Sequence, residues 1–323
     1  MAKYTSIGGQ ALIEGILMRS PEKSALAVRK PDKSIEIVNL DFKSVREKYK
    51  ILGLPVIRGV VAFVESLVQG YKAMMISAEK SGFTDIEDEK QTEKKEDTKE
   101  NNVLINTVMV IGTVLGVALA VVLFMLIPRL AVKGLETVFA TSFSKIARSS
   151  IEQFIKLIVL VAYMYGVSLM PDIKRVFMYH GAEHKTIFCY EKGLELNIDN
   201  VRKQKRFHPR CGTSFLILMV LVSLIVSTVV QMIFPNVYSV VALWVFAKIL
   251  MVPVICGIGF EILRACGKYD NIFTKIVSAP GLWLQRITTK EPDNDMIEIA
   301  IAALRAAEPE TPDVDRSIDK RSE

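Results

Sequence analysis

The sequence predicts a membrane α-helical protein. Four transmembrane helices are accompanied by a small N-terminal antiparallel β meander and by amphipathic helices on the cytoplasmic side. Three observations carry this expectation. Half of the 323 residues are hydrophobic and the mean hydropathy is +0.31. Those residues gather into four runs, each long enough to cross hydrocarbon, which takes about 20 apolar residues: Val103–Ile127, Ile151–Met170, Thr213–Phe234 and Val237–Leu263. The basic residues are unevenly placed, with 17 Lys and Arg before the first run, four in Pro128–Ser150, nine in Pro171–Gly212, none in Pro235–Asn236 and nine from Arg264 onward. The positive-inside bias then places both termini and the segment 171–212 in the cytoplasm of a multi-pass protein of the cell membrane.

Residues 1–80 form the first cytoplasmic unit. ALIEGILM, SALAVRK and SIEIVNL are short runs rich in β-formers, and Pro31-Asp32-Lys33-Ser34 supplies a turn between the last two. Gly8-Gly9 and Gly15 permit tight bends or bulges. Met1–Pro21 lacks the continuous apolar core of a secretory signal, so the N-terminus is expected to stay on the side where it is made. Pro55 then opens a helix over Leu54–Ala78, with one broad apolar stripe from Val56 to Met75. Arg58 and Glu65 make it a poor fifth span and a good helix for packing on the meander or lying in the interface.

Residues 81–102 read as a charged, disordered linker, since they hold almost nothing to bury. Residues 103–170 form the first transmembrane hairpin. Its connection has helical potential around Leu130–Phe139, and Glu152 and Lys156 are spaced for an i,i+4 pair near the outer rim. Residues 213–263 form the second hairpin. There Lys248 sits inside the last run, where a charge is costly, and Pro253 five positions on frees a carbonyl for it to bond. Residues 264–307 supply an interfacial segment around Trp283 and an amphipathic helix capped by Asp293 or Asn294. Residues 308–323 are a polar, disordered tail.

The chemistry is concentrated in the loop 171–212. All three histidines of the chain lie there, together with Cys189 and Cys211. A helix over Ile173–Tyr190 puts His180 and His184 on one face, a turn apart, where both imidazoles can reach one cation. His208 and Cys211, two residues apart, supply a second pair. Imidazole nitrogen and thiolate sulfur together favour Zn²⁺, with iron as second choice. Cys189 is a spare donor whose apolar neighbours point to a packed thiol. His180-Gly-Ala-Glu183-His184 also matches the H-x-x-E-H pattern in which a glutamate activates water, which makes Glu183 the catalytic candidate. If all four ligands bind, however, the tetrahedral site is closed and structural, and Glu183 either orients a histidine or is a plain surface charge. The basic cluster Arg202, Lys203, Lys205, Arg206 and Arg210 reads as a topology signal with affinity for anionic lipid, not as a nucleic-acid surface. Gly8-Gly9 lacks the Lys-Ser/Thr ending of a phosphate loop.

The blocks GGQALIEGILMRSP, LGLPVIRG, GAEHK, HPRCGTSF and PGLWLQRITTKEPD resemble the YqhQ-like family of bacterial multi-pass membrane proteins. The resemblance runs from about Ile7 to Leu304, with no departure at the motif positions. It implies membership of a domain family of unknown function that is described as a predicted metal-dependent enzyme. That description rests on His180, Glu183, His184 and the HPRC block.

Three functions follow from these readings. The first is a metal-dependent hydrolase acting on a peptide or lipid-linked substrate near the bilayer. The second is a non-enzymatic adaptor or regulator with a structural metal, docked on a membrane complex such as one for membrane-protein insertion or quality control. The third, prompted by Lys248 and Pro253, is a transporter.

Overall fold

The computed structural model describes residues 7–42, 44–83, 111–112, 114–234, 240–269 and 271–309. The expected linker from residue 84 on, the start of the first apolar run, the turn Pro235–Asn236 and the tail from residue 310 lie outside the described residues.

The N-terminal sheet has four strands, not three. The run GGQALIEGILM folds back on itself into β1 (Gly8–Leu12) and β2 (Gly15–Arg19), followed by β3 (Ser24–Arg29) and β4 (Ile35–Asn39). The order is β1-β2-β3-β4, antiparallel throughout, with Leu12 opposite Gly15 and Ala27 opposite Ile37. The first fold-back needs a residue at positive φ, and Glu14 takes φ 49°. The Glu14 carboxylate in turn holds Arg175 and, at 3.0 Å, the Tyr179 hydroxyl.

Alternation of side chains gives the sheet two buried faces. Ile16, Met18, Ala25 and Ala27 pack on α5 (Pro171–Glu191) and α10 (Asn294–Ala307). Leu12, Leu17, Leu26 and Val28 pack on Ala73 of α2 (Ile57–Lys80). A short helix α1 (Val45–Lys48) links sheet to α2. The α2 helix also crosses α8 (Val241–Lys268), where Gly59 lies against Gly257 and Phe260 and Arg58 donates to Glu261 at 2.6 Å. Val64, Leu67, Val68 and Tyr71 on its far side stay exposed.

Among the described residues, four helices are long and apolar enough to cross a membrane: Val114–Val138, Ile146–Val167, Gly212–Ile233 and Ala242–Cys266. They correspond to α3 (Val114–Val138), α4 (Lys145–Val167), α7 (Gly212–Ile233) and α8. The first of them continues through Pro128, where the apolar run was expected to end. A π-type turn at Val122–Leu126 widens the ladder just before the residue that cannot donate to it. Large apolar side chains such as Leu115, Phe246 and Leu250 are 63–67% exposed on these helices, a surface suited to lipid.

Polar side chains inside this bundle pair between helices. Glu152 does not turn to Lys156; it meets Lys248 across the bundle at 3.1 Å. Lys248 also donates to Ser227 at 2.9 Å. A carboxylate on a facing helix is a stronger partner than the carbonyl that Pro253 was expected to free.

The α9 helix (Ile272–Thr288) lies across α7, where Gly281 admits Ser214 at close range. Asp293 caps α10 by accepting from the Met296 N–H at 2.9 Å. The candidate site sits where α5, the start of α7 and the end of α9 meet the edge of the sheet, with the short helix α6 (Ile198–Arg202) beside them.

Candidate metal centre

Pro171 opens α5 at its first position, and Tyr179 and Ala182 bury one side of the helix in the core. That sets His180, Glu183 and His184, at i, i+3 and i+4, on one adjoining face. The chain after α9 then lies directly on α5. Lys290 N–H donates to the Phe177 carbonyl at 2.8 Å, and a Cβ on Gly181 would collide with the Lys290 carbonyl. This close approach brings the Thr288 carbonyl to 2.8 Å from His180 Nδ1. The Arg206 carbonyl likewise sits 2.5 Å from His184 Nδ1.

Carbonyls only accept, so each Nδ1 carries a hydrogen, and a ring in its neutral form turns an Nε2 lone pair the other way. The two rings meet edge to face at 4.3 Å between centroids. His180 Nε2 lies 3.1 Å from Cys211 Sγ, and one donor atom from each of His180, His184 and Cys211 falls within 4.8 Å of the others. His184 and Cys211 are buried and His180 is half-buried. Two lone pairs facing one sulfur cannot both be satisfied by a single thiol hydrogen. A cation among them satisfies all three, so the donor set fits a metal ion. The carbonyls on the far nitrogens are the usual outer partners of a histidine–metal site.

Cys211 is the N-cap of α7, and its sulfur accepts from the Thr213 N–H at 3.4 Å. Burial pushes the Cys211 thiol up, but its contacts with His184 and its hydrogen bonds with Thr213 outweigh that and leave the thiol below its ordinary value. Burial pushes His184 down, which favours the neutral ring that can bind an ion.

The structure brings three of the four expected ligands together. His208 lines the same cavity, with its ring 5.6 Å from His184 and 4.7 Å from Phe188 between centroids. Its nitrogens are engaged elsewhere: Nδ1 accepts from the Arg210 N–H at 3.3 Å, and Nε2 faces Glu191 Oε2 at 3.6 Å. Gln285 clamps its main chain on both sides, accepting from the His208 N–H at 2.7 Å and donating to its carbonyl at 2.8 Å. Burial holds the His208 pKa down at about 4.

Glu183 is buried against β1. Gly9 is the residue it lies on: a Cβ there would stand 2.8 Å from Glu183 Cδ. The carboxylate accepts from the N–H groups of Gly9 and Ala11, two residues apart on the edge of the sheet. Its Oε2 has no hydrogen-bond partner among the described residues. Burial raises its pKa to about 7, the neighbouring Cys211 adding to the rise and His180 and the two N–H groups opposing it. Glu183, His184, His208 and Cys211 share one cavity of about 260 Å³.

Cys189 is a packed thiol, 3.5 Å from the Glu195 carbonyl and pushed up by burial. Within the basic cluster, Arg206 reaches Glu291 at 3.6 Å and Arg210 pairs with Glu191, so part of that charge is used internally. The sequence reading missed Gln285, the Thr288 carbonyl, Gly181 and the clearance role of Gly9. The only signal for them was membership of the PGLWLQRITT, GAEHK and GGQ blocks, because main-chain acceptors and missing side chains have no residue type that marks a site.

A family described as "Protein of unknown function (DUF1385)" matches residues 54–310. The chain belongs to this family. The family match takes in α5, the start of α7 and α9, and so every side chain of the cluster; the sheet lies before it. The Uncharacterized protein YqhQ of Bacillus subtilis (strain 168) is 35% identical over 297 residues, which cover 91% of this chain and 89% of the relative. No solved structure matches the chain.

Proposed function

We propose that this protein is a multi-pass membrane protein with a hydrolytic metal site at its cytoplasmic face. His180, His184 and Cys211 hold Zn²⁺, or iron as second choice, and Glu183 is the general base. The observation that carries the reading is the cluster itself: two imidazoles fixed by backbone carbonyls, aimed at a cap-position thiol, beside a buried carboxylate. Three protein ligands is the count that leaves a coordination position open for chemistry. A bound ion supplies Lewis-acid chemistry there.

The chain's own residues do the rest. The Thr288 and Arg206 carbonyls keep the two rings in the ligating tautomer. Glu183, held by Gly9 and Ala11 and perturbed towards neutrality, takes a proton from water at Oε2 and returns it to the leaving group. Ile187 and His208 wall the cavity. The substrate class is a peptide or lipid-linked group presented at the membrane surface. The cytoplasmic placement rests on the nine Lys and Arg of Pro171–Gly212.

A second reading has a specific observation behind it. His208 is close enough to His184 for a ring rotation to add a fourth ligand, which would close the site. The metal would then staple an adaptor, and the exposed stripe Val64, Leu67, Val68 and Tyr71 would face its membrane complex.

Metal analysis of the purified full-length protein separates the two. The hydrolase reading expects about one ion per chain, lost in His180→Ala, His184→Ala and Cys211→Ser and retained in His208→Ala. It also expects Glu183→Gln to keep its metal and fail to complement a deletion strain. A metal-free wild-type protein would falsify the site. Loss of the ion in His208→Ala, with Glu183→Gln silent, would establish the staple.

A further inference from the structure

A second cavity, of about 460 Å³, lies among α3, α4, α7 and α8. That is within the usual range for small-molecule sites, roughly 300–1,000 Å³. Phe124, Leu160, Met219 and Val252 are among the apolar residues of its wall, which Lys156, Lys248, Ser223 and Ser227 interrupt. Lys248 is balanced by Glu152 and Ser227. Lys156 makes no ion pair and no hydrogen bond among the described residues, and the one carboxylate near it, Glu152, is bonded to Lys248. Two cations and one anion leave a positive charge uncompensated.

Lys156 is ten residues from one end of the apolar helix segment Ile146–Val167 and eleven from the other. A cation held in hydrocarbon without a partner is costly, and a wall of aliphatic groups around it defines what would relieve the cost.

We propose that this cavity binds a single-chain lipid with an acidic head group. The alkyl chain lies along the apolar wall and an anionic oxygen meets Lys156. A carboxylate and a phosphate monoester share that chemistry. The site is separate from the His180–His184–Cys211 cluster and does not depend on a metal.

The test uses the full-length protein in a non-ionic detergent, titrated with oleate, oleoyl lysophosphatidate and methyl oleate while a fluorescent fatty acid is displaced. At least one of the two anionic lipids binds saturably, one per chain, and methyl oleate binds at least roughly tenfold more weakly, a difference of about 1.4 kcal/mol. The preferred anion identifies the head group. Lys156→Met loses roughly the same factor for the anionic lipid, and Lys156→Arg keeps most of it. The wild-type comparison of oleate with its methyl ester needs no variant to fold. Equal binding of acid and ester overturns the proposal, as does unchanged affinity in Lys156→Met or the absence of saturable binding.

Discussion

An imidazole binds an ion through one nitrogen, and whatever the other nitrogen touches decides which one is free. In this chain both decisions are made by main-chain carbonyls, of Thr288 and Arg206. The His-x3-His spacing was legible because it is local: any helix through 180–184 puts both rings on one face. The anchor was not, because the Thr288 carbonyl lies 108 residues away and every residue has a carbonyl. Gly181 is the hinge between the two facts. Adding a Cβ there drives it into the Lys290 carbonyl, a backbone atom with no rotamer to change. Gly181→Ala is therefore expected to cost about 1–3 kcal/mol and to lower metal content by moving Thr288 off His180. Thermal unfolding and metal analysis check this against Gly166→Ala, where the added methyl meets nothing within 4 Å. Equal stability and equal metal in the two variants would refute the hinge.

At the scale of elements, the long helices were the most legible part. A helix satisfies its own backbone, so composition and length alone identify a segment able to cross lipid. Boundaries that depend on neighbours were not legible. GGQALIEGILM carries no proline or Asn-Gly to announce a turn, so one run hid two strands, β1 and β2. Pro128 looked like a terminator, but the π-type turn before it carries the helix to Val138. Glu152 and Lys156 looked like a pair along one helix, whereas the better partner stands on another, in Lys248. Removing Glu152 from that cross-bundle pair leaves Lys248 buried without its carboxylate. Glu152→Leu is expected to lose about 3–5 kcal/mol, and Glu152→Leu combined with Lys248→Met to recover most of the loss. Unfolding in detergent measures both. A double variant no better than the single would mean the pair is not the interaction at stake. A functional Lys248→Met protein would remove the transport reading.

For the whole molecule, the arrangement unites a sheet buried on both faces, a bundle of apolar helices and a donor cluster at their junction. Its orientation is a prediction: reporters fused after Gly193 signal from the cytoplasm, and a cysteine placed at Ala140 is labelled from outside. An external signal at Gly193 would invert the scheme. The sheet and the cluster are not independent parts. Glu183 occupies the outward N–H groups of Gly9 and Ala11, so one carboxylate both closes the rim of the sheet and faces the cavity. Trimming that side chain to alanine would therefore strip two amides of their acceptor and open the N-terminal strand, whatever its effect on chemistry. A dead Glu183→Ala protein would report broken scaffolding as readily as a missing base. The amide of glutamine keeps the volume and an accepting oxygen, and it is the substitution whose failure can be assigned to proton transfer.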